Sequence, residues 1–299
     1  MRDLKGICPA IVTPFDANNA FDPDAMRKLV RFQLGAGVHG FYVCGSTGEG
    51  LLQTADERRA VLETVLDEVA GRATVIAHIG AFRLDETLEL ARHARDAGAD
   101  AISSLPPAYF YKPDVPTLVR YYKTVAAATD LPFLVYNLPQ RTGVSMTLEL
   151  FDRLLDLPNV AGMKDSSGNT FQIGLYFSAG RKPVIFNGED PVLLFGMMSG
   201  ACGGIGSTYN VMPHLYVKLW RAFQAKDMDA AVAVQLRVNE RIRVLLTTDV
   251  LASVKQTLAW IGIDVGAPRA PGRPLTAEEA AQLKGSLQSV GFFDDLPAI

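Results

Sequence analysis

A lysine at the end of a short apolar run is the side chain of this sequence best suited to covalent chemistry. Side chains alternate along a strand, so Lys164 lies in line with Val160 and Gly162 on one face. If that face points into a barrel, burial disfavours the charged ammonium, and the neutral amine can attack a ketone to form a Schiff base. An isolated strand-end lysine more often reaches solvent or pairs with an acid, because buried lysines are rare.

Two further groups supply what a 2-keto acid requires. Tyr136 ends the preceding apolar run, and because neighbouring strands lie about 4.8 Å apart, its hydroxyl can face Lys164. A phenol beside a carbinolamine can transfer protons, although a core tyrosine with a satisfied hydroxyl is more common. Ser46 and Thr47 lie in the glycine-rich stretch 45–49, called here the cradle turn, which precedes a helix and suits a bound carboxylate. Amine, phenol and cradle turn together predict a 2-keto acid site.

Eight short apolar runs recur along the chain, each followed by a polar cluster and a segment of helical periodicity. Continuous apolar runs are typical of strands buried on both faces in a parallel sheet. The pattern predicts an α/β fold, a (β/α)8 TIM barrel, in which all strands end at the mouth that carries the chemistry. An open doubly wound sheet is the alternative, because it has the same rhythm. The runs are 7–12, 41–44, 74–77, 99–102, 133–136, 160–163, 184–186 and 201–205.

Additional C-terminal helices follow the eighth unit. Helical periodicity near 229–246, 251–260 and 276–287 predicts three of them. We therefore expect residues 1–225 to form the barrel and residues 226–299 a helical extension. Within the barrel, Thr54 and Glu57 have the spacing of a capping box and predict a helix start.

Composition excludes several classes of protein. The 299 residues include 29 basic and 32 acidic side chains, a net charge of −3, which argues against nucleic acid as a partner. Three scattered cysteines do not form a disulfide framework, and four histidines lack metal-ligand spacing, so we expect no metal. The first residues lack the apolar stretch of a signal peptide, and no apolar run could cross a bilayer. We expect a cytoplasmic protein that binds no membrane.

Three stretches together resemble the signatures of the dihydrodipicolinate synthase and N-acetylneuraminate lyase family. Residues 45–49 read GSTGE, residues 136–139 YNLP and residues 162–165 GMKD, in the family's order and at fitting intervals. The resemblance covers nearly the whole chain. It implies a class I, Schiff-base mechanism on pyruvate or a pyruvate-yielding sugar acid, in a barrel usually assembled as a homotetramer. It implies no metal and no organic cofactor.

The same resemblance suggests a role for each site residue. Lys164 resembles the imine-forming lysine and Tyr136 the proton-handling tyrosine. Ser46 and Thr47 resemble the pair that holds the pyruvate carboxylate. The backbone carbonyl of Ile205 is expected near the imine.

A further tyrosine often reaches the site from a neighbouring subunit in this family. Here the segment 107–111 reads PAYFY, so Tyr109 and Tyr111 are both candidates. The loops after the seventh and eighth runs resemble those of the sialate lyases. There the matching residues contact the sugar chain; in this sequence they are Ser166, Gly188, Asp190 and Ser207.

Two residues depart from the sialate lyase pattern. Pro191 stands where those lyases carry a glutamate for the distal hydroxyls, which favours a shorter sugar acid. Arg141 instead resembles the synthase arginine that binds a second carboxylate, and a guanidinium fork suits a carboxylate well. A surface loop arginine is the alternative role for Arg141.

Three functions follow as hypotheses. The first is retro-aldol cleavage, or its reverse, of a hydroxylated 2-keto acid through an imine on Lys164. The second is condensation of pyruvate with aspartate semialdehyde for lysine biosynthesis, which Arg141 favours and the lyase-like loops oppose. The third is a barrel that binds 2-keto acids without turnover. Residues 203–207 could alternatively form a barrel phosphate site.

Overall fold

Eight parallel strands pair in chain order in the computed structural model, which describes residues 3–107, 112–177 and 180–296. The sheet closes where His39 N–H donates to the Ile7 carbonyl at 2.8 Å and Ile11 N–H donates to the Tyr42 carbonyl at 3.1 Å. The predicted (β/α)8 TIM barrel is confirmed, and the open sheet is wrong. The strands are β1 (Gly6–Pro9), β2 (Gly40–Val43), β3 (Thr74–His78), β4 (Ala101–Ser104), β5 (Phe133–Asn137), β6 (Val160–Asp165), β7 (Val184–Asn187) and β8 (Gly203–Gly206).

Helices alternate with the strands and continue beyond them. The predicted capping box is confirmed, because Thr54 Oγ1 accepts from Glu57 N–H and Thr54 N–H donates to Glu57 Oε2 at 2.8 Å. The helices are α1 (Pro23–Gly35), α2 (Ala55–Val69), α3 (Leu84–Asp96), α4 (Val115–Ala126), α5 (Pro139–Thr142), α6 (Leu148–Leu154), α7 (Thr170–Leu175), α8 (Leu193–Met198), α9 (Pro213–Gln224), α10 (Met228–Leu245), α11 (Val250–Trp260) and α12 (Ala277–Ser289).

The three predicted C-terminal helices are α10, α11 and α12, and α10 packs against α8 and α9 of the barrel. The boundary at residue 225 stays a prediction. The short helix α5, directly after β5, has no counterpart in the sequence prediction. Nowhere in the described part of the chain is a helix both long and apolar enough to cross a bilayer.

Apolar side chains form two layers, as the alternation of a strand buried on both faces requires. The outer layer lies between the strands and the surrounding helices. The inner layer fills the barrel and consists of Leu4, Cys8, Ala10, Tyr42, Ile76, Ala101, Leu134, Tyr136, Leu138, Phe186 and Ile205. A polar group that reaches this inner layer is therefore removed from water on all sides.

One strand departs from regular alternation. In β6 the register shifts, so that Phe133 pairs with Val160 but Leu134 pairs with Gly162. Val160 consequently belongs to the outer layer, whereas Ala161 packs against the inner one. The expectation that Val160 shares a face with Lys164 is wrong, because a β-bulge inserts one residue and reverses the alternation.

Candidate active site

Lys164 lies inside the barrel near the carboxyl end of β6. Its backbone pairs with Tyr136 of β5 on one side and with Phe186 of β7 on the other, and both neighbours belong to the inner layer. The residue is 4% exposed. The side chain that the sequence identified for imine chemistry is thus enclosed by the barrel rather than directed to solvent.

Two aromatic rings flank the amine. Lys164 Nζ lies 4.1 Å from the ring centroid of Tyr136 and 4.4 Å from that of Tyr42. The two rings meet edge to face, with centroids 5.9 Å apart, and Tyr42 OH donates to Ser103 Oγ at 3.0 Å. In the sequence, Tyr42 is part of the apolar run 41–44, which predicts no chemical role for it. A polar-tipped aromatic at an inward position of β2 is the feature that could have identified it.

Tyr136 has an ionisable hydroxyl in this setting. Burial alone raises the pKa of the phenol, but the positive charge of Lys164 and hydrogen bonding with Ser46, Lys164 and Ser166 outweigh burial, so the pKa lies below its usual value. A phenol that gives up its proton more readily beside an amine is suited to acid–base work. The predicted neighbours Tyr136, Lys164 and Ser46 are brought together.

His78 lies beside the same rings and is uncharged. Its Nδ1 donates to the Cys44 carbonyl at 3.1 Å, which leaves Nε2 as an acceptor without a partner among the described residues. Burial, Arg58 and Lys164 hold the pKa of the imidazole well below its usual value. A neutral histidine adds no second positive charge near Lys164.

The cradle turn carries Ser46 and Thr47 at the mouth, directly after β2. Ser46 is exposed and Thr47 partly buried. Thr47 Oγ1 and Ser207 Oγ share a hydrogen bond of 2.7 Å, which joins this turn to the end of β8. The Gly48 carbonyl accepts from Thr13 Oγ1 at 2.7 Å, so a residue that follows β1 also fixes the backbone of the turn.

Residues far along the chain hold the end of the cradle turn. Glu49 adopts a left-handed backbone conformation, with φ of 56°, and its Oε1 lies 2.7 Å from Lys255 Nζ of α11. Lys255 also donates to the carbonyls of Thr13 at 2.9 Å and Ala267 at 3.0 Å. The Arg269 N–H donates to Glu49 Oε2 at 2.6 Å. The C-terminal helices thus hold the cradle turn in place, which the sequence did not indicate.

Asp190 is buried beneath the mouth at the end of β7. Its Oδ2 accepts from Thr208 N–H at 2.8 Å and Thr208 Oγ1 at 2.7 Å, while Oδ1 lies where a Cβ on Gly206 would meet it at 1.9 Å. Burial raises the pKa of Asp190, against the effects of Thr208 and Lys164. A carboxyl against Gly206 is unfavourable for the alternative phosphate site in 203–207.

The remaining predicted site residues lie at the ends of β6, β7 and β8. Ser166 Oγ donates to the Gly188 carbonyl at 3.3 Å. A Cβ on Gly188 would lie 2.0 Å from Ser166 Oγ and 3.0 Å from the Asp165 carbonyl oxygen, so a larger residue there would displace Ser166. Ile205 belongs to β8, and its side chain is buried in the inner layer. These residues surround the same mouth as Lys164.

Arg141 lies at the end of α5 and is exposed. It lines a cavity of about 840 Å³ whose wall also includes Ser46, Leu51 and Pro268. The cavity connects the arginine with the cradle turn. The two candidate tyrosines, Tyr109 and Tyr111, lie outside the described residues.

Asp165 follows Lys164 and orients the next turn. Its Oδ1 accepts from Asn137 Nδ2 at 3.0 Å and from Ser167 N–H at 2.8 Å, while Oδ2 has no partner among the described residues. Burial raises the pKa of this carboxyl. Within the described ranges no group of three His, Cys, Asp or Glu side chains is arranged to hold a metal ion.

Comparison with known proteins identifies the relatives of the chain. The profile of the dihydrodipicolinate synthetase family matches residues 3–290. The N-acetylneuraminate lyase of Citrobacter koseri is 36% identical over 291 residues, 97% of this chain and 98% of the relative. A catalytic lysine mutant of Ruminococcus gnavus sialic acid aldolase superposes with a TM-score of 0.92 at 35% identity, covering 97% and 98% of the two chains. Bacillus anthracis dihydrodipicolinate synthase superposes with a TM-score of 0.92 at 29% identity over the full length of both.

Proposed function

The chain belongs to the dihydrodipicolinate synthetase family and is a carbon–carbon lyase, and we propose that it cleaves a hydroxylated 2-keto acid through an imine on Lys164. The observation that carries this proposal is the burial of the Lys164 amine between the rings of Tyr136 and Tyr42 at the barrel mouth. Its relatives include N-acetylneuraminate lyases and an aldolase described as having a catalytic lysine. The non-catalytic barrel has no support from these relatives.

Lys164 provides the electron sink. The Lys164 amine attacks the C2 ketone, and loss of water gives a protonated imine. Deprotonation of the C4 hydroxyl then breaks the C3–C4 bond, which releases an aldehyde and places the bonding electrons on the imine nitrogen as an enamine. Protonation at C3 and hydrolysis release pyruvate and restore the amine.

Tyr136 moves the protons in this proposal. The lowered pKa of Tyr136, next to Lys164 and Ser46, favours its phenolate form, which can accept the proton of the C4 hydroxyl and, as the phenol, return it to a later intermediate. One observation supports the assignment: Lys164 Nζ lies 4.1 Å from the centroid of the Tyr136 ring.

Ser46 and Thr47 hold the carboxylate of the pyruvate half. Hydroxyls and backbone amides of the cradle turn satisfy a carboxylate without adding a positive charge beside Lys164. We propose that the backbone carbonyl of Ile205 lies near the imine. Ser166, Gly188, Asp190 and Ser207 surround the aldehyde half.

A second candidate function is the synthase reaction, condensation of pyruvate with aspartate semialdehyde. Arg141 favours it, because the arginine and Ser46 line one cavity and could hold the two carboxylates of that product. The Bacillus anthracis synthase has the same fold. The more similar lyases favour cleavage.

We also propose that the enzyme is a cytoplasmic homotetramer to which Tyr109 or Tyr111 contributes across an interface. Exposed apolar side chains on the packed helices α7, α8 and α10 support an assembly, because such surface favours burial in a subunit contact. They are Phe171, Phe195, Met198, Val232 and Leu236. Light scattering after gel filtration tests this point: four chains are expected, and a monomer at micromolar concentration contradicts it.

A substrate panel tests the proposed reaction. Pyruvate release is measured from 2-keto acids with hydroxylated chains of increasing length, beside condensation of pyruvate with aspartate semialdehyde. We expect cleavage of hydroxylated acids to be the faster reaction. Semialdehyde condensation with a higher kcat/KM than any cleavage would assign the synthase function instead.

A further inference from the structure

Glu189 occupies the turn after β7, next to Asp190, and nothing in the sequence alone assigns it a role. Its backbone carbonyl accepts from Asn187 Nδ2 at 2.7 Å, which fixes the residue at the mouth. Its Cγ lies 3.8 Å from the position that a Cβ on Gly168 would take, so the side chain leans over the turn after β6. The side chain therefore lies beside the turn that follows β6, the strand that carries Lys164.

The carboxyl of Glu189 is partly buried and unengaged. Within residues 3–107, 112–177 and 180–296 the hydrogen bonds to Glu189 come from Asn187 Nδ2 and the Val192 N–H, and both go to its backbone carbonyl rather than to its carboxyl. The two acidic neighbours differ in this respect, because Asp190 accepts from Thr208 and Asp165 accepts from Asn137. A partly buried acceptor without a partner is costly unless a ligand or water satisfies it.

The charges around Glu189 also favour a group that exchanges protons. Burial, followed by the negative charge of Asp190, raises the pKa of Glu189 to about 7; Lys164 opposes this shift and Asp165 adds to it. At neutral pH the carboxyl is therefore present both protonated and ionised. The protonated form donates and accepts hydrogen bonds, whereas the ionised form only accepts them. Hydroxyl groups of a ligand can bond with either form.

We propose that Glu189 is a specificity-determining residue that binds hydroxyl groups on the aldehyde half of the substrate. The inference rests on the proposed lyase function, which anchors the keto end of the substrate at Lys164 and the cradle turn. Pro191, two residues further on, has no polar side-chain atom for this purpose. Glu189 supplies a hydroxyl acceptor on the β7 side of the mouth, in addition to Asp190.

The test compares two aldehydes in condensation with pyruvate: glyceraldehyde, which carries hydroxyls, and propanal, which carries none. In Glu189→Gln we expect kcat/KM for glyceraldehyde to fall about 10-fold, because a charge-assisted hydrogen bond becomes a neutral one, and propanal to stay within about 2-fold. Glu278→Gln, an exposed carboxyl of α12, is the matched control and should change neither reaction.

A pH profile supplies a second readout. For the native enzyme, the ratio of glyceraldehyde to propanal kcat/KM should rise as pH increases through about 7, because ionised Glu189 accepts hydroxyl hydrogen bonds more strongly. In Glu189→Gln the ratio should not depend on pH. An effect on protein folding alone would lower both reactions equally.

The outcomes separate the proposed lyase function from the proposed role of Glu189. Borohydride trapping of pyruvate on the native protein reports the lyase function independently. Trapping together with an unchanged aldehyde ratio in Glu189→Gln overturns the role of Glu189 alone, as does an equal loss for both aldehydes. Absence of trapping overturns both proposals.

Discussion

The turn after β2 and the turn after β7 face the same barrel mouth but differ in how their glutamate side chains are held. In the cradle turn the polar groups are held by the protein itself: Glu49 contacts Lys255 and Arg269, and Thr47 bonds to Ser207. After β7, Glu189 keeps its carboxyl unengaged by the described residues. A rigid turn suits the pyruvate half, which is common to all substrates of such a lyase, and a free acceptor suits the half that varies.

The largest effect is expected at Lys164, the residue at the barrel mouth that both turns face. Lys164→Ala removes the amine, so pyruvate release should fall below detection for every substrate. Lys182→Ala, an exposed lysine, is the control and should keep native activity. Measurable turnover by a folded Lys164→Ala protein, checked by its thermal transition, would show that the reaction proceeds without the imine.

Tyr136→Phe is expected to lower kcat by about 10²–10⁴-fold, since it removes the acid–base hydroxyl while keeping the ring against Lys164. Tyr122→Phe is the matched control, because that buried hydroxyl has no partner among the described residues. Steady-state pyruvate release measures both. A native rate for Tyr136→Phe would remove the proton-transfer role.

Lys255→Met tests whether the cradle turn depends on the C-terminal helices. It leaves the Glu49 carboxylate buried without its counter-ion, and loss of one partner of a buried pair destabilises by about 3–5 kcal/mol. We expect a lower thermal transition and a KM for pyruvate raised about 10-fold. Adding Glu49→Gln should recover part of the stability, because no unpaired charge remains. A native KM in Lys255→Met would mean that the turn keeps its shape alone.

Ser207→Ala is expected to have the smallest effect. It removes the 2.7 Å hydrogen bond to Thr47 but leaves the backbone contacts of the turn, so KM for pyruvate should rise about 3-fold with kcat unchanged. Thr47→Ser keeps a hydroxyl at the same place and should behave as the native enzyme. A larger fall in kcat than in affinity for Ser207→Ala would place this hydroxyl in the chemical step.

The sequence predicted the features that depend on local pattern. Eight βα units, the capping box at Thr54 and the meeting of Tyr136 with Lys164 follow from periodicity, turn chemistry and strand alternation. The β-bulge after Val160 was missed, because an inserted residue reverses alternation without a mark in the sequence. The ion pair of Glu49 and Lys255 was missed, because tertiary packing alone brings such distant residues together.

Trapping of the covalent intermediate tests the central claim most directly. The protein is incubated with pyruvate and borohydride, digested, and its peptides weighed by mass spectrometry. We predict a reduced pyruvyl adduct on the peptide containing Lys164, formed only when pyruvate and reductant are both present, and still formed in Glu189→Gln. An unmodified Lys164 peptide at saturating pyruvate, or an adduct on another lysine, would contradict the account.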